Sequence, residues 1–304
     1  MSIQRIFIED DMGITDEIKL SYQHGSYLTR LIYINLAIWL VVRLAAVILL
    51  LGGNNDLTFI DWLSLPASFK LFLSRPWTLI TYMFLHYELL HILFNMLWLY
   101  SFGRIFLEYH QPRKLLFIYL FGGISGGLFF MGAYNFFPYF RHSIDFSQLL
   151  GASAAVIAIV IATAAYVPNH VIHVILIGPV KIKWIALISV ILYVVNLTGD
   201  NAGGNFAHLG GACWGLLYMM MLRSGYDLSS RFGGIFDLLF VWPKPKRKLK
   251  VEYNAGNYRD YGYNRSKKEQ QEEINRILDK ISTAGYDSLT VEEKEMLFRM
   301  SGKK

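Results

Sequence analysis

Residues 84–98 read FLHYELLHILFNMLW, an apolar run carrying two histidines and an asparagine. The run belongs to a longer apolar stretch, roughly residues 81–106, in which only Glu88 and Arg104 carry a full charge. An apolar stretch of about 20 residues crosses the hydrocarbon core of a bilayer as a helix. Moving outward from this stretch, the same criterion picks out residues 31–51, 115–137, 149–167, 184–197 and 205–222. The fifth of the six is short, and its start can be drawn earlier, within HVILIGPVKIKW. The expected fold is therefore all-α, a polytopic membrane protein with six transmembrane helices.

Composition points the same way. Hydrophobic residues make up 54% of the chain and charged residues 17%, against about a quarter charged in soluble domains. The charge is unevenly spread: residues 30–225 hold long uncharged stretches, whereas 226–304 are dense in Lys, Arg, Glu, Asp and Tyr. The expected organisation is a cytoplasmic N-terminal segment (1–29), a six-span membrane domain (30–225), a basic, Tyr-rich linker (226–266) and a small helical hairpin (267–304).

Several function classes drop out. Cys213 is the single cysteine, so no internal disulfide is expected, and no Cys/His spacing typical of a metal site surrounds it. The net charge of +6 owes much to Lys244, Lys246, Arg247, Lys248 and Lys250, just past the last apolar stretch. A basic cluster there faces anionic headgroups or fixes orientation, and no nucleic-acid partner is implied. The N-terminus is polar and mixed in charge, so no cleavable signal peptide is expected.

Orientation follows from Lys and Arg in the connections. With the N-terminus inside, the inner segments hold Arg5, Lys19, Arg30, Arg104, Arg113, Lys114, Lys181 and Lys183 as well as the basic tail. The outer loops hold only Lys70, Arg75 and Arg141. Both termini are expected in the cytoplasm. Absence of an organelle presequence suggests the cytoplasmic membrane of a bacterium.

Polar groups at membrane depth are costly, and by default they mark function. Span two brings His86, His91 and Asn95; span four opens with Gly151-Ala152-Ser153-Ala154, and span six with Asn205-Phe206-Ala207-His208-Leu209-Gly210-Gly211. Spans two, four and six all run from outside to inside, so these groups share the outer half of the bilayer. His91 and Asn95, four apart, lie on one helix face. A hydroxyl becomes a useful nucleophile when a base within hydrogen-bond reach accepts its proton. Ser153 and His208 suit those two roles, and His91, Asn95 and the Ser153 backbone N–H can donate to a developing oxyanion. Gly151 clears space beside Ser153, while Gly211 and Gly215 let span six lie against span four. Gly122, Gly123, Gly126 and Gly127 allow a similar approach on span three. No Asp or Glu stands beside His208, so a dyad is expected. His86 reads as a structural residue near the surface that ties down the preceding loop. Arg43, within span one, either snorkels outward or pairs with a polar group.

The motifs H-x4-H-x3-N (His86, His91, Asn95), G-x-S-x (Gly151, Ser153) and A-H-x-x-G-x-x-x-G (Ala207, His208, Gly211, Gly215) resemble those of the rhomboid intramembrane proteases. The resemblance covers about residues 30–225, including the span count and the long first loop. It implies a Ser153–His208 dyad, oxyanion stabilisation by His91 and Asn95, single-pass membrane proteins as substrates, and no metal or organic cofactor. The family also places a membrane-dipping loop where residues 52–76 stand. Two features depart from it. Arg75-Pro76-Trp77-Thr78 replaces the usual W-R pair, and Ile157 stands where an aromatic often stacks on the catalytic histidine, leaving His208 to be held by packing.

In the tail, Ile274, Ile277, Leu278 and Ile281 recur at helical spacing, Gly285 breaks the pattern, and Thr290 with Glu293 reads as a capping box opening a second helix. Two roles are open to the hairpin, binding a partner and regulating the membrane domain. Two other functions compete with proteolysis: an inactive relative that binds transmembrane segments, and a small transporter using the histidines as a proton path.

Overall fold

The computed structural model describes residues 21–22, 25–53, 58–174, 177–232 and 258–301. The basic cluster at 244–250 and residues 1–20 and 23–24 of the expected N-terminal segment lie outside them. The chain divides into two units, Met1–Lys244 and Pro245–Lys304.

The first unit is mostly helical. Its long helices are α1 (Tyr27–Leu51), α2 (Leu89–Tyr109), α3 (Pro112–Phe136), α4 (Ser153–Tyr166), α5 (Ile182–Val195) and α6 (Ala202–Arg223). Among the described residues α1, α2 and α3 are long and apolar enough to cross a membrane, while α4 and α5 are apolar but shorter. Apolar side chains also cover the outside: Val41, Ile48 and Leu51 on α1 are 66%, 69% and 83% exposed. A water-soluble surface does not carry apolar patches of that extent; the unit is an integral membrane protein.

The centre of the bundle is α4. Every residue from Ala154 to Ala164 is buried, as expected of a helix that is apolar all round. Its neighbours reach it through small residues. A Cβ on Gly122 or Gly126 of α3 would come within 2.3 or 2.5 Å of the Ala158 or Ala154 methyl. The other glycine row of α3 receives the first loop instead, Gly123 against Met83 and Gly127 against Leu65. Pro112 opens α3 at its first turn, where its missing N–H has no intrahelical partner to lose.

The fold is mostly helical, as expected, and two small antiparallel sheets accompany the helices. Strand β1 (Leu65–Pro66) pairs with β2 (Gln148–Leu149), and β3 (Val171–Val174) pairs with β4 (Gly178–Lys181). Gly178, at φ +93°, and β4 take up the middle of HVILIGPVKIKW, and α5 starts within that stretch at Ile182, two residues before Trp184. Contrary to expectation, His86 is not on the helix of span two. Residues 78–84 form short helical turns, residues 85–87 belong to no helix or strand, and α2 starts only at Leu89.

The described part of the first loop, from Thr58 on, is folded. The Trp62 and Trp77 rings stack at 6.2 Å, the Arg75 guanidinium lies 4.3 Å from the Trp62 ring, and the Trp77 Nε1–H donates to the Trp62 carbonyl. Arg75 and Trp77 thus share one partner despite the altered order of the pair.

In the second unit, α7 (Tyr258–Ala284) and α8 (Val291–Ser301) flank Gly285, whose φ is +77°. The capping box forms as expected: the Thr290 N–H donates to Glu293 Oε2 at 2.7 Å, and the Glu293 N–H donates to Thr290 Oγ1 at 3.3 Å. Helix α7 begins nine residues before the expected boundary at 267, and Leu278, expected on its apolar stripe, is exposed while Ile277 is buried.

Candidate active site

Ser153 is the first residue of α4, and the segment leading into it is gripped by the loop before α2. The Gly151 N–H donates to the Tyr82 carbonyl at 2.9 Å, and the Ala152 N–H donates to His86 Nε2 at 3.2 Å. His86 therefore ties the entry of α4 to the loop before α2. Tyr82 is itself held by its hydroxyl on the Gly123 carbonyl at 2.6 Å, and the Met83 carbonyl accepts from Tyr119, which receives an N–H from Asn35 of α1. Residues 82–86 are thus fixed from α1 and α3 before they fix α4. Gly151 has φ +122°, and a Cβ there would lie 2.7 Å from the His91 ring, so two separate constraints require glycine.

With Gly151 and Ala152 tied off, the Ser153 N–H belongs to the first-turn amides that an α-helix leaves without an intrahelical acceptor. The helix N-terminus concentrates positive partial charge there.

His208 comes from the second turn of α6. Its Nε2 lies 2.7 Å from Ser153 Oγ. Its Nδ1 is buried and finds no hydrogen-bond partner among the described residues. A neutral imidazole that accepts at Nε2 carries its proton at Nδ1. Among the described residues no carboxylate bonds to either member of the pair.

The shared level of these groups has a simple origin. Tyr166, at the end of α4, packs 4.4 Å from the His110 ring that follows α2, and its carbonyl and that of Ala165 accept from Arg223 at the end of α6. The three helices therefore share one end. At 1.5 Å per residue, Ser153, Asn95 and His208 stand about 20, 21 and 22 Å above it. His91 is one turn higher. Its ring packs edge-on against His86 at 5.2 Å, and its carbonyl accepts one Asn95 Nδ2–H at 2.9 Å.

Ser153, His208, His91 and Asn95 line one cavity of about 1000 Å³, with Trp98, Ile157, Asp61, Glu88 and Asp200 also on its wall. Gly211 and Gly215 set α6 directly on the backbone of α4, below the pair.

A family model described as the Rhomboid domain matches residues 73–225, half of the chain. The chain belongs to the rhomboid family. Among curated relatives, this rhomboid is 28% identical over 161 residues to RHOMBOID-like protein 12, mitochondrial, of Arabidopsis thaliana, covering 50% of this chain and 48% of that one. It is 28% identical over 203 residues to Rhomboid protease GlpG of Yersinia pseudotuberculosis, covering 65% and 67%. Against Rhomboid protease GlpG of Yersinia pestis it is 30% identical over 110 residues, covering 36% and 39%. The chain thus spans about half the length of the plant relative. A second family model, described as a family of unknown function (DUF6576), matches residues 260–303.

Sequence reasoning missed two contacts in this rhomboid site. Tyr193 of α5 packs on His208 with ring centroids 4.5 Å apart. Arg43 lies 4.8 Å from the ring of Tyr87, a cavity residue, which accounts for a cation within α1. Neither Tyr193 nor Tyr87 is one of the residues that define the motifs, and each contact joins residues from different segments of the chain.

Proposed function

We propose that this chain is an intramembrane serine endopeptidase that cuts single-pass membrane proteins with a Ser153–His208 dyad. The observation that carries the reading is the 2.7 Å contact between His208 Nε2 and Ser153 Oγ, with His208 Nδ1 left without an acceptor. Membership of the rhomboid family supports it, as do two relatives named rhomboid proteases.

The chemistry follows from the positions of the groups. His208 Nε2 takes the Ser153 proton as Oγ attacks the carbonyl carbon of the scissile peptide. Charge on the carbonyl oxygen is met by the Ser153 N–H, with His91 and Asn95 donating from the facing helix. Asn95 has a second N–H beyond the one given to His91. Collapse of the tetrahedral intermediate breaks the C–N bond, and the imidazolium returns its proton to the leaving amine. Water then attacks the acyl-Ser153 ester by the same route, releasing the acid and restoring the hydroxyl.

Helix α4 explains how water reaches this depth. Its 14 residues rise about 21 Å, against a hydrocarbon core of about 30 Å. With its far end at the inner face, Ser153 is recessed below the outer surface and the cavity above it is lined by Gln148, Asp200 and Asn201. This topology has all six long helices crossing the membrane and both termini in the cytoplasm.

The test is cleavage of tagged single-pass proteins in proteoliposomes. Wild type is expected to cut, and Ser153→Ala and His208→Ala are expected not to. Tight substrate binding without cleavage by wild type would instead fit a binding module.

A further inference from the structure

Among the described residues His208 has one polar anchor, the contact to Ser153 Oγ, because its Nδ1 finds no partner there. One hydrogen bond at the tip of an imidazole does not fix rotation about the side-chain bonds behind it. Where a carboxylate orients the base in a triad, that rotation is stopped from the Nδ1 side; here the ring face is the remaining handle. Position 157, one turn after Ser153 on α4, lines the cavity with an isoleucine, which has no flat face to offer. The face is met from elsewhere. Tyr193 packs on His208 at 4.5 Å with the rings inclined by 54°. Its place on α5 is set by that helix's packing, since the inward residues Ile182, Ala186 and Ser189 recur at spacings of four and three, and Tyr193 continues the row four residues on.

We propose that Tyr193 is the positioning residue for His208, so that the base carried by α6 is aligned by a ring from α5 and not from α4. The proposal rests on the catalytic reading of Ser153 and His208. Tyr193 needs only its ring for this role, and the role is transferable to position 157.

The experiment is steady-state cleavage of one single-pass substrate in proteoliposomes by wild type, Ser153→Ala, Tyr193→Phe, Tyr193→Leu, Tyr193→Ala and the double variant Tyr193→Ala with Ile157→Phe. Tyr193→Phe should stay within about twofold of wild type, whereas Tyr193→Leu and Tyr193→Ala should lose about ten- to a hundredfold in kcat with KM nearly unchanged. Ile157→Phe should recover most of the loss caused by Tyr193→Ala. Wild-type kcat in Tyr193→Leu, a loss confined to KM, or no recovery in the double variant would overturn the positioning role. Wild type no faster than Ser153→Ala would overturn the protease reading itself, and the first two proteins alone reveal that case.

Discussion

Gly211 lies so close to Ala154 that a Cβ on it would meet the Ala154 carbonyl oxygen at 2.1 Å, and Gly215 repeats the contact against the Ala158 carbonyl at 2.2 Å. Both obstacles are backbone of the helix that begins with Ser153, so neither can swing aside. Gly211→Ala and Gly215→Ala should each push α6 away from α4, at a cost of about 1–3 kcal/mol. The Ser153–His208 contact depends on that same approach, so turnover should fall with stability. Gly132 is the control, because the nearest atom to a Cβ there is 4.0 Å away. Thermal unfolding in detergent should show Gly132→Ala near wild type and the other two clearly lower.

Asn95 faces Ser153 across the cavity and keeps one N–H beyond its bond to the His91 carbonyl. Asn95→Ala should lower kcat by about ten- to a thousandfold, the range seen when one oxyanion donor is removed. KM should change little, because the interaction strengthens only as the oxyanion forms. An unchanged kcat would remove Asn95 from the mechanism.

His86 accepts the Ala152 N–H in a fully buried setting. His86→Ala leaves that donor without a partner, which costs about 1–3 kcal/mol, and loosens the turn that presents Ser153. Both the unfolding midpoint and kcat should fall. A variant as stable as wild type would show that the Ala152 N–H has another acceptor.

The site was legible from the chain where its signals are local. His91 and Asn95 are one turn apart, Gly211 and Gly215 likewise, and Ser153 and His208 each stand near the start of an apolar run whose direction can be counted. What stayed hidden depends on partners far away in sequence. The isoleucine at 157 is visible in the chain, but nothing near Tyr193 marks it as the ring beside His208, 15 residues later on another helix. Apolarity also cannot separate a membrane helix from an apolar strand pair or turn. That is why the start of span five within HVILIGPVKIKW could not be placed from the sequence, where a strand gives way to α5, and why His86 read as part of span two. In the tail, Tyr, Asn and Gly made residues 258–266 look like linker, although they open α7.

Asp227 links the end of α6 to the start of α3. Its carboxylate accepts from the Ser229 N–H and hydroxyl and from Tyr218, and it pairs with Lys114 at 3.2 Å. Burial alone would raise its pKa, but the Ser229 hydrogen bonds and Lys114 outweigh that and hold it below the ordinary carboxylate value. A carboxyl whose pKa is depressed in the folded state adds stability above its unfolded pKa, and that stability is lost as pH falls. Asp227→Asn should therefore cost about 1 kcal/mol at neutral pH, with the gap to wild type closing below about pH 4. Unfolding midpoints of the two proteins between neutral and acid pH check this; a gap that persists in acid would assign the loss to packing.

The most direct test of the dyad is covalent labelling of the membrane-embedded protein with a serine-directed fluorophosphonate, followed by peptide mapping. The label should sit on Ser153, and His208→Ala should abolish it while leaving the protein folded, because the hydroxyl 2.7 Å from His208 Nε2 then has no base. Labelling of a different serine, or of Ser153 at an undiminished rate in His208→Ala, would contradict the account.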